Sequence, residues 1–182
     1  MRLRSGSVEL RAFEPALTEA VFAVRNHPSV RAHLRDPRPL AWESHVRWVQ
    51  ANLVEQRLQH LFVAFHAGEV AGITLLRNFR EREAEIGVMV VEPARHRLAA
   101  YIAAHLIGYY AFEILGLERL LSYVPVAHRD AVEFNVRCGF EPTGEPSSEY
   151  RVLALTIERS RTHPAHKRFR ERRRIVCDKV KT

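Results

Sequence analysis

Glu85 opens an apolar stretch, Ala84 to Val91, that ends at Glu92 and Pro93. A carboxylate at the head of a strand can accept a proton, directly or through a water. Arg95 and Arg97 flank the start of the longest helical pattern. Helix N-termini carry unpaired N–H groups and a positive dipole end, so two guanidiniums there predict an anion site. His45 and His128 stand alone, and isolated histidines are usually structural or solvated. His163, His166 and Cys177 have neither the spacing nor the number of a metal-ligand set, so no metal is expected. The only cysteines, Cys138 and Cys177, read as free thiols in a reducing cytoplasm.

The elements that must position these residues follow from periodicity. Val8 to Phe13 alternates apolar and polar residues as a half-buried strand does. Pro15 starts a helix with Leu17, Ala20, Val21 and Val24 on one face, broken at His27 and Pro28. A short helical piece holds Val30 and Leu34, and Trp42 to Gln59 reads as a longer helix. The period then changes: His60–His66, Val70–Asn78 and Ala84–Val91 form three strands joined by a turn at Ala67 and Gly68 and a charged link at 80–82. The long helix, Leu98–Leu115, carries Ala99, Ile102, Ala103, Leu106, Tyr110 and Ile114 as a stripe and stops at Gly116. Leu120–Val124 is a strand that returns beside Ala84–Val91, and a helix over 131–137 ends at Gly139. Phe140 and residues 149–158 supply the last strand material. The order β, α, α, β, β, β, α, β, α, β defines an α+β protein with a mixed, mostly antiparallel sheet.

At 182 residues, 47% of them hydrophobic, the chain suits one domain with a sizeable core. It shows no apolar run of spanning length and no apolar core of a signal peptide near its start, so no membrane role is expected. Its net charge of +7 is unevenly placed. Residues 159–182 hold ten Lys or Arg against Glu171 and Asp178, a net of +8, while residues 1–158 sum to −1. Composition therefore predicts a domain over 1–158 and a basic tail over 159–182, with a helical stretch from Ala165 to Val176.

Four blocks, in order, resemble the GNAT N-acetyltransferase superfamily: Glu85 to Gly87 (EIG), Val91 to Pro93 (VEP), Ala111 to Leu120 (AFEILGLERL) and Gly139 to Gly144 (GFEPTG). The resemblance implies the acyl-CoA N-acyltransferase fold over Val8 to Glu158. The fourth strand, third helix and fifth strand then make the cofactor unit. It implies acetyl-CoA as co-substrate, with the pantetheine arm on a free strand edge at Val88, Met89, Val90 and Val91. The diphosphate would lie on the segment Arg95, His96, Arg97, Leu98, Ala99 and Ala100. Arg95 and Ala100 fit the ends of the family's pattern, whereas His96 and Leu98 fall at glycine positions. His128 stands where the family has an asparagine that contacts the cofactor. Asn135 occupies the catalytic position of a tyrosine that protonates the leaving thiolate, a task an amide does not perform.

The run Arg25 to Arg31 (RNHPSVR) and His45 to Trp48 (HVRW) is similar to a branch that holds amino-sugar acetyltransferases and, close by, ribosomal-protein N-terminal acetyltransferases. There the first two helices help form the acceptor site, which makes Arg25, Asn26, Arg31 and His45 substrate-binding candidates. Glu85 is the candidate general base. The implied function is acetyl transfer to a primary amine of an amino-sugar nucleotide, a small metabolite or a protein N-terminus. The alternative is a non-catalytic module of the same fold within a larger assembly, its tail docked on an acidic protein or nucleic acid.

Overall fold

In the computed structural model, residues 1–34, 36–144 and 149–178 are described. The chain opens with a hairpin of β1 (Arg2–Ser5) and β2 (Val8–Ala12), turned through Gly6 at φ +60°. A 3-10 turn at Pro15–Leu17 leads into α1 (Thr18–Asn26), then α2 (Pro28–Arg31) and α3 (Trp42–Val49). The helix predicted to reach residue 59 loosens into π-type turns over Gln50–Glu55. Next comes the meander β3 (His60–His66), β4 (Glu69–Arg80) and β5 (Glu83–Val90). Helix α4 (Arg97–Tyr109) continues into a π-type turn over Tyr110–Ile114, and β6 (Arg119–Pro125) follows. The chain then forms α5 (Arg129–Arg137), β7 (Glu141–Pro142), β8 (Tyr150–Thr156), α6 (Ile157–Thr162), α7 (Pro164–Arg172) and β9 (Val176–Asp178).

The described strands make one nine-stranded sheet in the order β7-β8-β6-β5-β4-β3-β2-β1-β9. All neighbours are antiparallel except β5 and β6. On one face α4 buries Ile102, Leu106 and Ile107 against Leu10, Phe62, Leu76 and Leu120. The other face is covered by α1 and α3, where Val21, Val24 and Val49 meet Val63, Ile73 and Leu75. The two-residue period of the strands sorts β5 accordingly: Ala84, Ile86 and Val88 face α4, while Met89 faces α1.

The compositional border at 158/159 lies inside α6, and the fold runs on past it. The basic helix α7 turns Ala165, His166 and Phe169 inward and its Lys and Arg side chains outward. Arg159 donates to the Gly139 carbonyl at 2.6 Å, and Arg170 donates to those of Ser160 and Arg161. The helix expected as far as Val176 ends at Arg172, because Val176 to Asp178 pair with β1 along the sheet edge.

Candidate functional site

The site begins where two strands part. β5 and β6 pair in parallel only over Glu83, Ala84 and Glu85, opposite Arg119, Leu120 and Leu121. Beyond that, β6 pairs only with β8 and β5 only with β4, leaving a V-shaped cleft between them. The N–H of Val91 donates to Ala71 at 2.9 Å, so odd residues of β5 bond towards β4. Backbone alternation then turns the amide groups of Val88 and Val90 into the cleft. Met89 and Val91 bond towards β4 and pack on the α1 side.

Gly72 holds this geometry. A Cβ there would lie 2.1 Å from the Met89 carbonyl oxygen and 3.0 Å from the Val90 Cα. Only glycine permits that approach of β4 to β5. It falls beside Val90, one of the two residues whose amides line the cleft.

At the far end of β5 the chain turns through Glu92, at φ +43°, into α4. The first bond within this helix runs from Ala100 N–H to the His96 carbonyl, and His96 gives no side-chain cap. The N–H groups of Arg97, Leu98 and Ala99 are therefore the open donors of the helix end. Arg97 and Leu98 are exposed, Ala99 is buried, and Ala100 lies between. His96 is also buried, with its Nδ1 3.2 Å from that of His66, and burial followed by the Arg95 charge lowers its pKa. Arg95 is held at the surface by Glu69 and Glu92. Of the two arginines in this segment, Arg97 is the one without an ion pair among the described residues.

On the α1 side of the cleft, Glu85 sits at the last paired position of β5. One of its oxygens accepts from Arg77 and the other from Asn78 Nδ2 at 2.6 Å. Arg25 lies near Arg77, with its guanidinium 5.3 Å from the ring centre of Trp48. The other acceptor-side candidates are engaged internally. Asn26 exchanges two hydrogen bonds with the Leu40 backbone, and Arg31 donates to the carbonyls of Asn26 and Pro37, so both fasten the α2–α3 connection. His45 is fully buried and hydrogen-bonds the Thr18 carbonyl through Nε2.

At the end of β6 lies an open cavity of about 570 Å³, between the α2–α3 connection, the residues that follow β6 and the start of β8. His33 and His128 line it, their rings stacked at 3.7 Å. Burial, then His33, lowers the pKa of His128, so it stands neutral at physiological pH. Nothing in the sequence marked His33, because the contact joins two distant loops. On α5, Asn135 spends its amide on the Ala131 carbonyl, one turn back. Among the described residues, no group of three or more His, Cys, Asp or Glu could hold a metal, and no helix is long and apolar enough to cross a membrane.

A mixed sheet that splays between a meander strand and the strand returning from a long helix defines the acyl-CoA N-acyltransferase class. The family model for the acetyltransferase (GNAT) domain matches residues 7–141, and the chain belongs to that family. No curated protein matches it significantly in sequence. Among solved structures it is similar to spermidine N-acetyltransferase from Vibrio cholerae in complex with CoA and spermine. That match has 17% identity and a TM-score of 0.73, over 84% of this chain and 97% of the other. A dodecameric form of the Vibrio cholerae enzyme aligns at 17% identity and a TM-score of 0.69, over 87% of this chain and 97% of the other. At such identity these two share the fold with this chain.

Proposed function

We propose that this protein transfers the acetyl group of acetyl-CoA to a primary amine of a small molecule. The observation that carries the reading is the parting of β5 from β6 after Glu85, with the open amides of Val88 and Val90 on one wall and an uncapped helix N-terminus beyond. The pantetheine arm pairs with the β5 edge, and its diphosphate meets the N–H groups of Arg97 to Ala99 and the Arg97 guanidinium. An amide on the cleft wall faces the thioester oxygen and stabilises the charge that develops there. The amine attacks the thioester carbon, and collapse of the tetrahedral adduct expels the CoA thiolate.

The amine must lose a proton and the thiolate must gain one. Glu85 takes the first through a water, since its oxygens are already bonded to Arg77 and Asn78. The second comes from solvent at the cleft mouth, because Asn135 has no acidic proton to give. His128, in the cavity wall, contacts the cofactor. The two free thiols support a reducing, cytoplasmic setting. Calorimetric titration with acetyl-CoA, followed by thiol release in the presence of amines, tests the proposal. Saturable binding and amine-dependent release are expected; no heat at millimolar acetyl-CoA would refute it.

The side chains of His96 and Leu98, at positions where the family has glycines so that a diphosphate can approach backbone, favour a second reading: a non-catalytic module of the same fold. In that case the outward Lys and Arg of α7 dock it on an acidic protein or nucleic acid, in a salt-dependent way. The same titration separates the two.

A further inference from the structure

Arg25 is a cation without a counter-ion. Its Nε is buried and has no hydrogen-bond partner, and no carboxylate is paired with its guanidinium among the described residues. The groups around it add no negative charge: Trp48 offers a ring face, His45 is buried with its pKa lowered, and Arg77 is a second cation. The single carboxylate at this point, Glu85, is shared between Arg77 and Asn78. Arg25 belongs to the last turn of α1, so the helix end supplies partial negative charge and nothing more. Burial first, and the charge of Arg77 second, lower its pKa, which expresses the same imbalance.

Arg25 is half-buried, and an arginine partly desolvated without a counter-ion costs stability; its planar fork of donors matches carboxylate or phosphate. Its position matters as much as its charge. Arg25 stands over β4 beside the Arg77–Glu85 pair, and Glu85 is the last residue of β5 before the strands part. An anion on Arg25 would therefore lie close to the place where the acceptor amine meets the thioester. A polyamine, cationic along its length, would meet two guanidiniums against one carboxylate.

We infer that the acceptor carries an anionic group, a carboxylate or a phosphate, near its reactive amine, and that Arg25 is the residue that binds it. This rests on the acetyltransferase reading for the word acceptor, and its test is built so that the two fail separately. The probes are L-aspartate, D-glucosamine 6-phosphate and spermidine at fixed ionic strength. Binding is followed by the fluorescence of Trp48 in a Trp42→Phe background. At least one of the two anionic amines should bind saturably while spermidine does not, and the stronger of the two tells carboxylate from phosphate. Arg25→Gln should weaken that binding by about tenfold or more, the size of one charge-assisted hydrogen bond. Arg25→Lys, which keeps the charge and guards against a folding artefact, should lose less affinity than Arg25→Gln, with the fork geometry lost and the charge kept. Spermidine binding as tightly as the anionic amines, neither anionic amine binding, or an unchanged affinity in Arg25→Gln would each overturn the inference. Acetyl-CoA binding is measured separately by calorimetry: its absence removes the acetyltransferase reading while leaving an anion site at Arg25 standing.

Discussion

Acidification should unfasten the C-terminal helix from the rest of the molecule. His105 on α4 and His166 on α7 meet at 4.5 Å between ring centres, with Phe169 stacked on His105 at the same distance. Both are buried, at 3% and 8% exposure. His105 Nδ1 donates to the Tyr101 carbonyl and His166 Nε2 to that of Cys138, each at 2.8 Å, while His105 Nε2 has no partner. The charged and titratable groups acting on the pair, Arg159, His163 and Arg170, are all cationic or neutral. Burial, reinforced by the neighbouring ring, pushes His105 down to about 3, and burial above all pushes His166 down to about 4.

In the unfolded chain both return to about 6.5. The unfolded state thus binds more protons throughout the interval between, so stability is complete above pH 6.5 and falls as pH drops towards 4. At pH 5, about 1.5 units below the unfolded value, each ring costs about 2 kcal/mol, and the two together about 4 kcal/mol. That is a large part of the roughly 5–15 kcal/mol that holds a domain together. Urea titrations at pH 8 and pH 5, on the wild type and His105→Leu, measure it. The variant keeps roughly the volume, loses the bond to the Tyr101 carbonyl and the ring contacts with Phe169 and His166 at both pH values alike, and should shed about 2 kcal/mol less than the wild type between them. Equal losses in the two proteins would refute the reasoning.

Cutting the chain after Glu158 should abolish cooperative melting by circular dichroism, since it removes Phe169, Ala165 and the β9 edge of the sheet; Phe169→Ala alone should cost about 3–5 kcal/mol. Gly72→Ala must push β4 from β5 by more than an ångström at Met89, so activity should fall at least tenfold or the melting point drop sharply, and an unaffected enzyme would remove this close approach from the mechanism. Arg97→Ala should weaken acetyl-CoA binding by about tenfold, whereas Arg95→Ala, already committed to Glu69 and Glu92, should change it by less than about threefold in the same calorimetric titration. Glu85→Gln should slow acetyl transfer most near neutral pH, where the amine is still protonated; a rate profile parallel to the wild type would take Glu85 out of the proton path.

Local pattern was enough for the elements that carry their own signal. The two-residue alternation of Val8–Phe13 and the stripe from Ala99 to Ile114 need no distant partner to be recognised, and Gly116 ends its helix wherever that helix lies. The family resemblance implied a free edge at Val88 to Val91; the strands do part after Glu85, with Val88 and Val90 turned to the gap and Met89 and Val91 bonded towards β4. What the sequence could not decide depends on groups far apart along the chain. Arg2–Ser5 and Val176–Asp178 are too short to announce themselves; the first becomes a strand by pairing with β2, and the second by pairing with the first. The arginines after Glu158 read as a solvated tail because charge dominates the composition, yet Ala165, His166 and Phe169 share one helical face and found a core to enter. Arg95 and Arg97 look alike in sequence, yet Glu69 and Glu92 pair with the first and leave the second without an ion pair among the described residues. Arg25, Asn26, Arg31 and His45 were equal candidates until packing gave the last three internal hydrogen bonds and left Arg25 with a ring contact but, among the described residues, no counter-ion, which is a matter of position in space and not of neighbours along the chain.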